Sequence, residues 1–234
     1  MAASPIFLTL QGKKQLTHDV YELEYRSEAF SILPGQFLLC DTSGDPKLKR
    51  SYSVSWVAWK SVFFIIKRVS DGTGGSVAIC DQPLGYKMQV WWPLGWFLLQ
   101  DTPCPKVFIG TGTGFAPLYF QMRAAFEKNQ EIPLFFLFGV RELRDIFYLE
   151  EMKKWSESSS FDYQIYCSRE NGELPEKHHH GRITEYLTSE TLSQLNQSGD
   201  TEFYICWSPA MVTEVRWTLD EHGIRREKVF FEQY

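Results

Sequence analysis

The stretch 110–117, Gly-Thr-Gly-Thr-Gly-Phe-Ala-Pro, constrains the fold of this chain more than any other part of its sequence. The apolar run 106–109 before it has the composition of a buried strand, and apolar residues at helical spacing predict a helix over 118–128. Glycines let a backbone approach phosphate groups closely, and the first N–H groups of a helix stabilise their charge. The pattern fits a pyrophosphate-binding turn or an ordinary strand-to-helix turn. The glycines alone do not distinguish these two kinds of turn, because Pro117 stands where a dinucleotide fingerprint has Gly or Ala.

The composition of the 234 residues suits one large globular domain or two smaller ones. A hydrophobic fraction of 44% with 23% charged residues is enough for a packed core. The formal net charge of -5 argues against bulk nucleic-acid binding. We see no stretch long and apolar enough for a membrane span, and no basic-then-apolar signal segment over 1–7. We therefore expect a cytoplasmic protein.

The cysteines and histidines do not follow a metal-binding pattern. The five cysteines are widely spaced and include no Cys-x-x-Cys pair, which argues against an iron–sulfur cluster, a zinc site and a disulfide scaffold. The run 178–180 is three consecutive histidines, but adjacent side chains on a loop rarely converge on one ion. We expect a solvated loop there and no metal.

The first hundred residues have the pattern of a β-rich domain. Short segments rich in β-branched and aromatic residues lie at 6–10, 20–25, 36–39, 51–55, 62–69 and 88–92. Turn signals separate them at 34–35, 43–46 and 71–72, and one helix is predicted over 76–81. This spacing predicts an N-terminal antiparallel six-stranded barrel, which we assign to residues 1–102.

After a break at 100–103 the sequence alternates between strands and helices. Strands are predicted at 106–110, 134–139, 163–167, 202–206 and 228–231. The clearest helix is predicted over 209–222, where Val212, Val215 and Leu219 keep helical spacing. Such alternation indicates a parallel sheet with right-handed crossovers, so we predict a C-terminal α/β nucleotide-binding domain over 103–234.

A series of short motifs runs through the whole chain in a fixed order. They are Pro34-Gly35-Gln36-Phe37, Arg50-x-Tyr52-Ser53, Gly75-Ser76, Pro93-Leu94-Gly95-Trp96-Phe97, the 110–117 stretch, Gly139-Val140-Arg141, Ser168-Arg169-Glu170, Gly181-Arg182-Ile183-Thr184, Cys206 with Met211, and Glu232-Gln233-Tyr234. In number, order and spacing they resemble the ferredoxin–NADP⁺ reductase family of flavoproteins. The resemblance implies a FAD-binding barrel followed by an NADP-binding domain, with the flavin at their interface.

The resemblance assigns the flavin to residues of the first half. Arg50 would pair with a flavin phosphate, where a permanent cation with several donors suits an anion. Tyr52 would lie against the isoalloxazine ring, and Ser53 would hydrogen-bond near its reactive nitrogen. The other flavin residues implied are Ser51, Lys67, Val69, Gly74, Gly75 and Ser76. Alone, these residues would also fit an arginine–acid surface pair and a buried tyrosine.

The resemblance assigns a pyridine nucleotide to the second half. Ser168 and Arg169 end a strand on the ligand side of the sheet, and a hydroxyl with a guanidinium suits a 2′-phosphate. NADP(H) is therefore expected and NAD(H) is the second choice. Arg182 would be a second cation, or part of a structural strand-to-helix turn. The other residues implied are Gly110, Thr111, Gly112, Thr113, Gly114, Pro117, Arg141 and Met211.

Ser53, Cys206 and Glu232 match the polar cluster that the family places beside flavin and nicotinamide. Cys206 would contact the nicotinamide, or would be a small buried hydrophobe, and Glu232 would orient groups or relay protons. Tyr234 would stack on the isoalloxazine ring. Trp207 departs from the family, which usually has glycine after this cysteine. An indole there would slow hydride transfer or point into the core.

The resemblance implies a ferredoxin/flavodoxin–NAD(P) reductase-type oxidoreductase. It would pass electrons between NADPH and a one-electron carrier such as ferredoxin or flavodoxin, because a flavin links two-electron to one-electron chemistry. An acidic carrier protein would dock at the basic run Lys47, Lys49 and Arg50, with Lys13-Lys14 as the other candidate, or these lysines would only solvate a loop. One alternative is an NADH-linked reductase component for a cytochrome or an oxygenase. Another is a flavin-binding electron-transfer subunit without nicotinamide turnover, which Trp207 and Tyr234 favour.

Overall fold

The computed structural model describes residues 6–27, 31–42, 49–158 and 160–234. The predicted turn at 43–46 and Lys47 lie outside the described residues. The first sheet has seven antiparallel strands in the order β4-β3-β7-β1-β2-β6-β5. They are Ile6–Gln15 (β1), Val20–Arg26 (β2), Phe37–Asp41 (β3), Lys49–Ser53 (β4), Trp56–Ala58 (β5), Ser61–Lys67 (β6) and Lys87–Val90 (β7).

The predicted count of six strands is wrong, because Trp56–Ala58 forms a seventh. It pairs antiparallel with β6, and Trp59 takes a positive φ of 50° in the tight turn between them. Such two-residue turns favour Asn-Gly or Asp-Gly, so Trp59-Lys60 gives no hairpin signal in the sequence. The helix predicted between the strands is present as Gly75–Asp81 (α1).

The second sheet has six parallel strands in the order β11-β10-β9-β8-β12-β13. They are Lys106–Thr111 (β8), Leu134–Val140 (β9), Phe161–Cys167 (β10), His178–His180 (β11), Glu202–Trp207 (β12) and Val229–Gln233 (β13). The longer helices of this half are Phe115–Lys128 (α2), Leu149–Ser156 (α3), Ser189–Leu195 (α4) and Pro209–Glu221 (α5). The predicted fold class is confirmed. The domain boundary between 102 and 103 stays a prediction.

The histidine run is a strand rather than the predicted solvated loop. His178–His180 pairs parallel with Ile165–Cys167 at the sheet edge, and His178 is buried. His179 Nε2 lies 2.6 Å from Gln164 Oε1. This segment forms a strand because it pairs with β10, which lies elsewhere in the sequence. Three consecutive histidines do not themselves have the residue pattern of a strand. Within the described ranges we find no group of three or more His, Cys, Asp or Glu side chains placed to hold a metal ion.

Phe115 fixes the start of α2 directly behind the glycine turn. Its fully buried ring contacts Tyr119, Phe136, Phe138, Phe147 and Tyr148, with centroids 4.9–5.7 Å apart. A buried aromatic ring at the first helical residue leaves the helix little freedom to shift. The position of the glycine turn is thereby tied to the core.

The two sheets meet through aromatic and polar contacts. Trp56 of the first sheet packs edge-on against Phe120 of α2, and the Arg123 guanidinium lies 3.6 Å from the centre of the Trp56 ring. The Tyr148 hydroxyl donates a hydrogen bond to the Glu22 carboxylate across the same junction. In the part of the chain with described coordinates, we find no helix with the length and apolar character of a membrane span.

A buried ion pair joins the first residues of β8 and β12. Lys106 Nζ lies 2.7 Å from Glu202 Oε2, and both side chains are 2% exposed. Glu202 also accepts hydrogen bonds from the Thr102 and Tyr204 hydroxyls. A charge buried this deeply is tolerated only when its partners are present.

We predict that Lys106→Met destabilises the fold by about 3–5 kcal/mol, because it removes the nearest cation of the buried Glu202 carboxylate and leaves only Lys228, whose Nζ lies 3.9 Å from Glu202 Oε1. Denaturant unfolding measures the loss. The double variant Lys106→Met with Glu202→Gln should recover most of it, since an amide carries no charge. A single variant as stable as the unmodified chain would contradict this account of the pair.

Candidate functional site

A cleft of about 1150 Å³ lies between the two sheets, at the carboxyl ends of the parallel strands. Open α/β sheets bind ligands at this edge, and the volume exceeds the range of about 300–1,000 Å³ usual for drug-sized ligands. The predicted site residues that line it are Ser51, Tyr52, Ser53, Lys67, Val69, Thr111, Gly112, Thr113, Arg141, Ser168, Arg182, Met211, Glu232 and Tyr234. Those that do not are Arg50, Gly74, Gly75, Ser76, Gly110, Gly114, Pro117, Arg169 and Cys206.

Arg50 of β4 precedes the cleft residue Ser51, and its side chain packs against Gly75, the first residue of α1. Its guanidinium donates to the Thr73 hydroxyl at 3.0 Å and to the Lys49 carbonyl at 2.8 Å. A Cβ at Gly75 would lie 2.7 Å from Arg50 Cγ, so glycine is required for this close packing. A guanidinium, a hydroxyl and a helix start without a side-chain cap form a donor set that suits a phosphate.

The glycine turn divides into a cleft-facing part and a packed part. Gly112 lies in the cleft lining with φ of 50°. A Cβ at Gly110 would lie 2.6 Å from Leu118 Cδ1, and one at Gly114 would lie 2.4 Å from the Cys206 carbonyl oxygen. Gly110 and Gly114 therefore serve close packing in this structure, and Pro117 is buried in α2.

The four residues predicted to be catalytic come together from β4, β12, β13 and position 234, directly after β13. The Ser53 hydroxyl donates to Glu232 Oε2 at 3.1 Å. The Cys206 thiol lies 3.6 Å from the Tyr234 hydroxyl, which in turn donates to the Thr113 carbonyl at 3.3 Å. The strand register places Cys206 beside Glu232. Both halves of the molecule thus contribute to one polar cluster.

Burial sets the protonation of this cluster. It raises the pKa of Glu232 to about 7, against the smaller lowering effect of the Ser53 hydroxyl. Burial also raises the pKa of the Cys206 thiol well above its ordinary range, so the sulfur is a neutral thiol at physiological pH. Near neutral pH, Glu232 can therefore either hold a proton or accept one, and Cys206 is not a nucleophile.

The predicted nucleotide-side residues lie at the ends of β9 and β10. Arg141 and Ser168 line the cleft, and the Ser168 hydroxyl lies 3.3 Å from the Val140 carbonyl. Arg169 is exposed and is not among the residues that line the cleft. The Arg182 side chain lines the cleft, while its backbone N–H donates to Glu185 at 2.9 Å in a short helical turn. Both interpretations of Arg182 stay open.

Several cleft residues were not identified from the sequence as site residues. They are Asp19, Asp71, Asp145, Glu214 and Trp207, among others. Asp19 forms an ion pair with Lys67 at 2.7 Å. No local pattern marks the acidic residues, because they come from separate loops and helices that only the fold brings together. Trp207 could be singled out from the sequence, because it stands where the family usually has glycine.

Comparison with known proteins supports the same architecture. Residues 108–216 match the model of the oxidoreductase NAD-binding domain. A ferredoxin NADP⁺ reductase from Neisseria gonorrhoeae, solved with bound FAD and NADP, superposes with a TM-score of 0.84 over 99% of each chain at 21% identity. The chain has a ferredoxin–NADP⁺ reductase-like fold. This confirms the fold that the resemblance implied.

Two curated relatives of this chain are components of oxygenase systems of Pseudomonas putida. One is the naphthalene 1,2-dioxygenase system ferredoxin–NAD(P)⁺ reductase component, 28% identical over 97% of this chain and 68% of the relative. The other is the toluate 1,2-dioxygenase electron transfer component, 25% identical over 96% of this chain. The chain spans 66% of the length of that second relative.

We predict that Glu232 makes stability fall as pH rises from about 4.5 to about 7, the interval between its ordinary pKa and its raised one. In that interval the folded state holds a proton that the unfolded state has released, so increasing pH favours unfolding. Denaturant unfolding at a series of pH values, compared with Glu232→Gln, isolates this contribution. The variant should gain stability relative to the unmodified chain across the interval and keep a constant difference above it. A difference independent of pH would contradict the raised pKa.

Proposed function

We propose that the chain is a flavin-dependent oxidoreductase that binds FAD beside the antiparallel sheet and a pyridine nucleotide at the edge of the parallel sheet. The observation that carries this proposal is the polar cluster of Ser53, Cys206, Glu232 and Tyr234 between the two sheets, next to the glycine turn. It is supported by the donor set at Arg50 and by the nucleotide-side residues of the cleft.

The bound flavin would supply a group that takes up two electrons and releases them singly. Arg50 and Thr73 would donate hydrogen bonds to its phosphates, and Tyr52 would line its ring pocket. Ser53 would donate a hydrogen bond at the reactive edge of the ring. With its raised pKa, Glu232 would hold a proton beside that edge and exchange it at near-neutral pH.

We propose NADP(H) as the preferred nucleotide, with NAD(H) as a weaker substrate. The support is the set of cations and hydroxyls at the carboxyl ends of β9, β10 and β11, namely Arg141, Ser168 and Arg182, with exposed Arg169 beside them. A 2′-phosphate needs such donors, whereas a bare ribose hydroxyl does not.

We propose that the electron partner is a separate carrier protein such as ferredoxin or flavodoxin. The cysteine spacing of the 234 residues offers no iron–sulfur motif, so a group outside these residues would carry single electrons. Lys49 supports a docking surface near the flavin side, since its ammonium lies over the Trp91 ring at 4.2 Å and Trp92 is 50% exposed. A cytoplasmic location is part of the same proposal.

Specific observations also favour two other functions. The first is an NADH-linked reductase component for a cytochrome or an oxygenase, and the two Pseudomonas relatives, both components of dioxygenase systems, favour the oxygenase form. A flavin-binding electron-transfer subunit without nicotinamide turnover is favoured by the contact of Trp207 with Tyr234, whose rings lie edge to face at 5.7 Å.

The purified protein should bind FAD and be yellow, and Arg50→Ala should weaken FAD binding by about 1.5–3 kcal/mol, the usual contribution of a charge-assisted hydrogen bond. Quenching of flavin fluorescence measures the affinity. Lys49→Ala is the matched control, because it removes a neighbouring cation that contacts Trp91 rather than Thr73. A colourless protein that binds no added FAD would end the proposal.

A further inference from the structure

Three arginines follow the carboxyl ends of the neighbouring strands β9, β10 and β11. Arg141 and Arg182 line the cleft, Arg169 lies in the turn after β10, and all three residues are exposed. Within the described residues, none of the three guanidiniums forms an ion pair. Arginines without a carboxylate partner are suited to bind an anion, so what holds their turns in place bears on what this end of the cleft binds.

Glu170 stands directly after Arg169, and its carboxylate is bound to a backbone group of the next turn. Oε2 accepts a hydrogen bond from the Leu143 N–H at 3.1 Å, and the Glu170 side chain is partly buried. Leu143 lies two residues after Arg141. The bond therefore joins the turn that carries Arg169 to the turn that carries Arg141, without occupying either guanidinium.

The backbone of Glu170 joins the third turn. Its carbonyl oxygen lies 2.9 Å from His180 Nδ1, and because a carbonyl can only accept, Nδ1 is the donor. His180 is the last residue of β11 and stands two residues before Arg182. Through its side chain and its carbonyl, Glu170 contacts segments that lead to both of the cleft-lining arginines.

The turn after β9 keeps its own shape through other bonds. The Glu142 N–H donates to the Asp145 carboxylate at 3.0 Å, and the Asp145 N–H donates to the Glu142 carbonyl at 3.0 Å. The position of this turn against β10 depends on the Arg169 N–H, which donates to the Arg141 carbonyl at 2.8 Å, and on the Glu170 carboxylate. The second of these bonds uses a side chain, so a substitution removes it without changing any arginine.

We propose that Glu170 is a positioning residue for the recognition of a 2′-phosphate. Its carboxylate holds the turn that carries Arg141 against the turn that carries Arg169, so that their guanidiniums converge on one phosphate group. The inference rests on the proposed function, because it concerns how the chain distinguishes NADP(H) from NAD(H). Donors that are already in place bind a ligand without the cost of ordering them.

Two other roles of Glu170 lead to different expectations. If Glu170 acts only as a negative charge near the phosphate, both Glu170→Ala and Glu170→Gln strengthen binding of the phosphate. If it only supports the fold, its removal weakens nucleotides with and without a 2′-phosphate alike. A positioning role predicts that alanine weakens only the 2′-phosphate ligand, whereas glutamine preserves its binding, since the amide oxygen still accepts from the Leu143 N–H.

Calorimetry on the full chain distinguishes the three roles, with 2′,5′-ADP and 5′-AMP as probes that differ by the 2′-phosphate. We expect Glu170→Ala to bind 2′,5′-ADP about tenfold more weakly, as for loss of one hydrogen bond to a charged group, with 5′-AMP unchanged. Glu170→Gln should match the unmodified chain. In flavin reduction, Glu170→Ala should raise the KM of NADPH and leave its kcat and both constants for NADH unchanged.

The matched control is Glu173→Ala. Glu173 is an exposed acid of the same loop, and it forms no hydrogen bond or ion pair with another described residue. Its removal changes the charge of the loop by the same amount, and we expect it to leave the affinity for both probes unchanged.

Leu143→Pro tests the same bond from its other end, because proline has no N–H. Leu143 is the first residue of a short helical turn, and Glu142 before it has the extended backbone that a residue before proline favours, with φ of -136° and ψ of 162°. We expect the same loss of 2′,5′-ADP affinity as in Glu170→Ala, and no further loss in the double variant. If Glu170→Ala does not fold, Leu143→Pro carries the test.

The inference is overturned if Glu170→Ala leaves the affinity for 2′,5′-ADP unchanged, strengthens it, or weakens 5′-AMP equally. It is also overturned if Glu170→Gln loses as much affinity as Glu170→Ala, or if the losses of Glu170→Ala and Leu143→Pro add. In these cases the proposed function stands as long as the unmodified chain prefers 2′,5′-ADP to 5′-AMP. If the unmodified chain shows no such preference, the proposed NADP(H) selectivity fails and the inference fails with it.

Discussion

The close approach of the glycine turn to β12 is the contact on which the rest of the site depends. Gly114 packs against the Cys206 carbonyl so tightly that a Cβ would lie 2.4 Å from that oxygen. The burial of Phe115 holds the turn in this position from the helix side. Because the turn and the strand meet here, Thr113 and Cys206 both reach the Tyr234 hydroxyl. One backbone contact thus places the glycine turn, the buried thiol and the terminal aromatic ring together.

The second sheet alone does not complete the site. Ser53 comes from the antiparallel sheet and donates to Glu232 of the parallel one, so the proton-holding carboxyl sits at the junction of the two. Its pKa near 7 is a consequence of this burial. The junction is fixed elsewhere by the Arg123 guanidinium over Trp56 and by Tyr148 donating to Glu22. Packing between the sheets and the acid–base property of the site are therefore coupled.

The sequence predicted what depends on local pattern and missed what depends on distant partners. Apolar runs placed the five longer strands of the parallel sheet, because a buried strand must be apolar whatever its neighbours are. The strand of Trp56–Ala58 was missed because its turn lacks the usual residues, and the strand of His178–His180 because β10 organises it. Asp19 in the cleft had no local signal. The departure at Trp207 was visible, but its contact with Gly112 was not.

The most direct test is anaerobic reduction of the FAD-loaded protein by NADPH and, separately, by NADH. Stopped-flow spectroscopy monitors the reduction as a loss of flavin absorbance. Our account predicts that NADPH reduces the flavin with the higher catalytic efficiency, and that Arg169→Ala and Arg182→Ala separately show which guanidinium carries the preference. Arg216→Ala is the control for the general effect of removing a cation. The Arg216 guanidinium lies 3.9 Å from the centre of the Phe231 ring. Equal efficiency with the two nucleotides would contradict the assignment of NADP(H). A flavin that neither nucleotide reduces would contradict the account of the site as a place of hydride transfer.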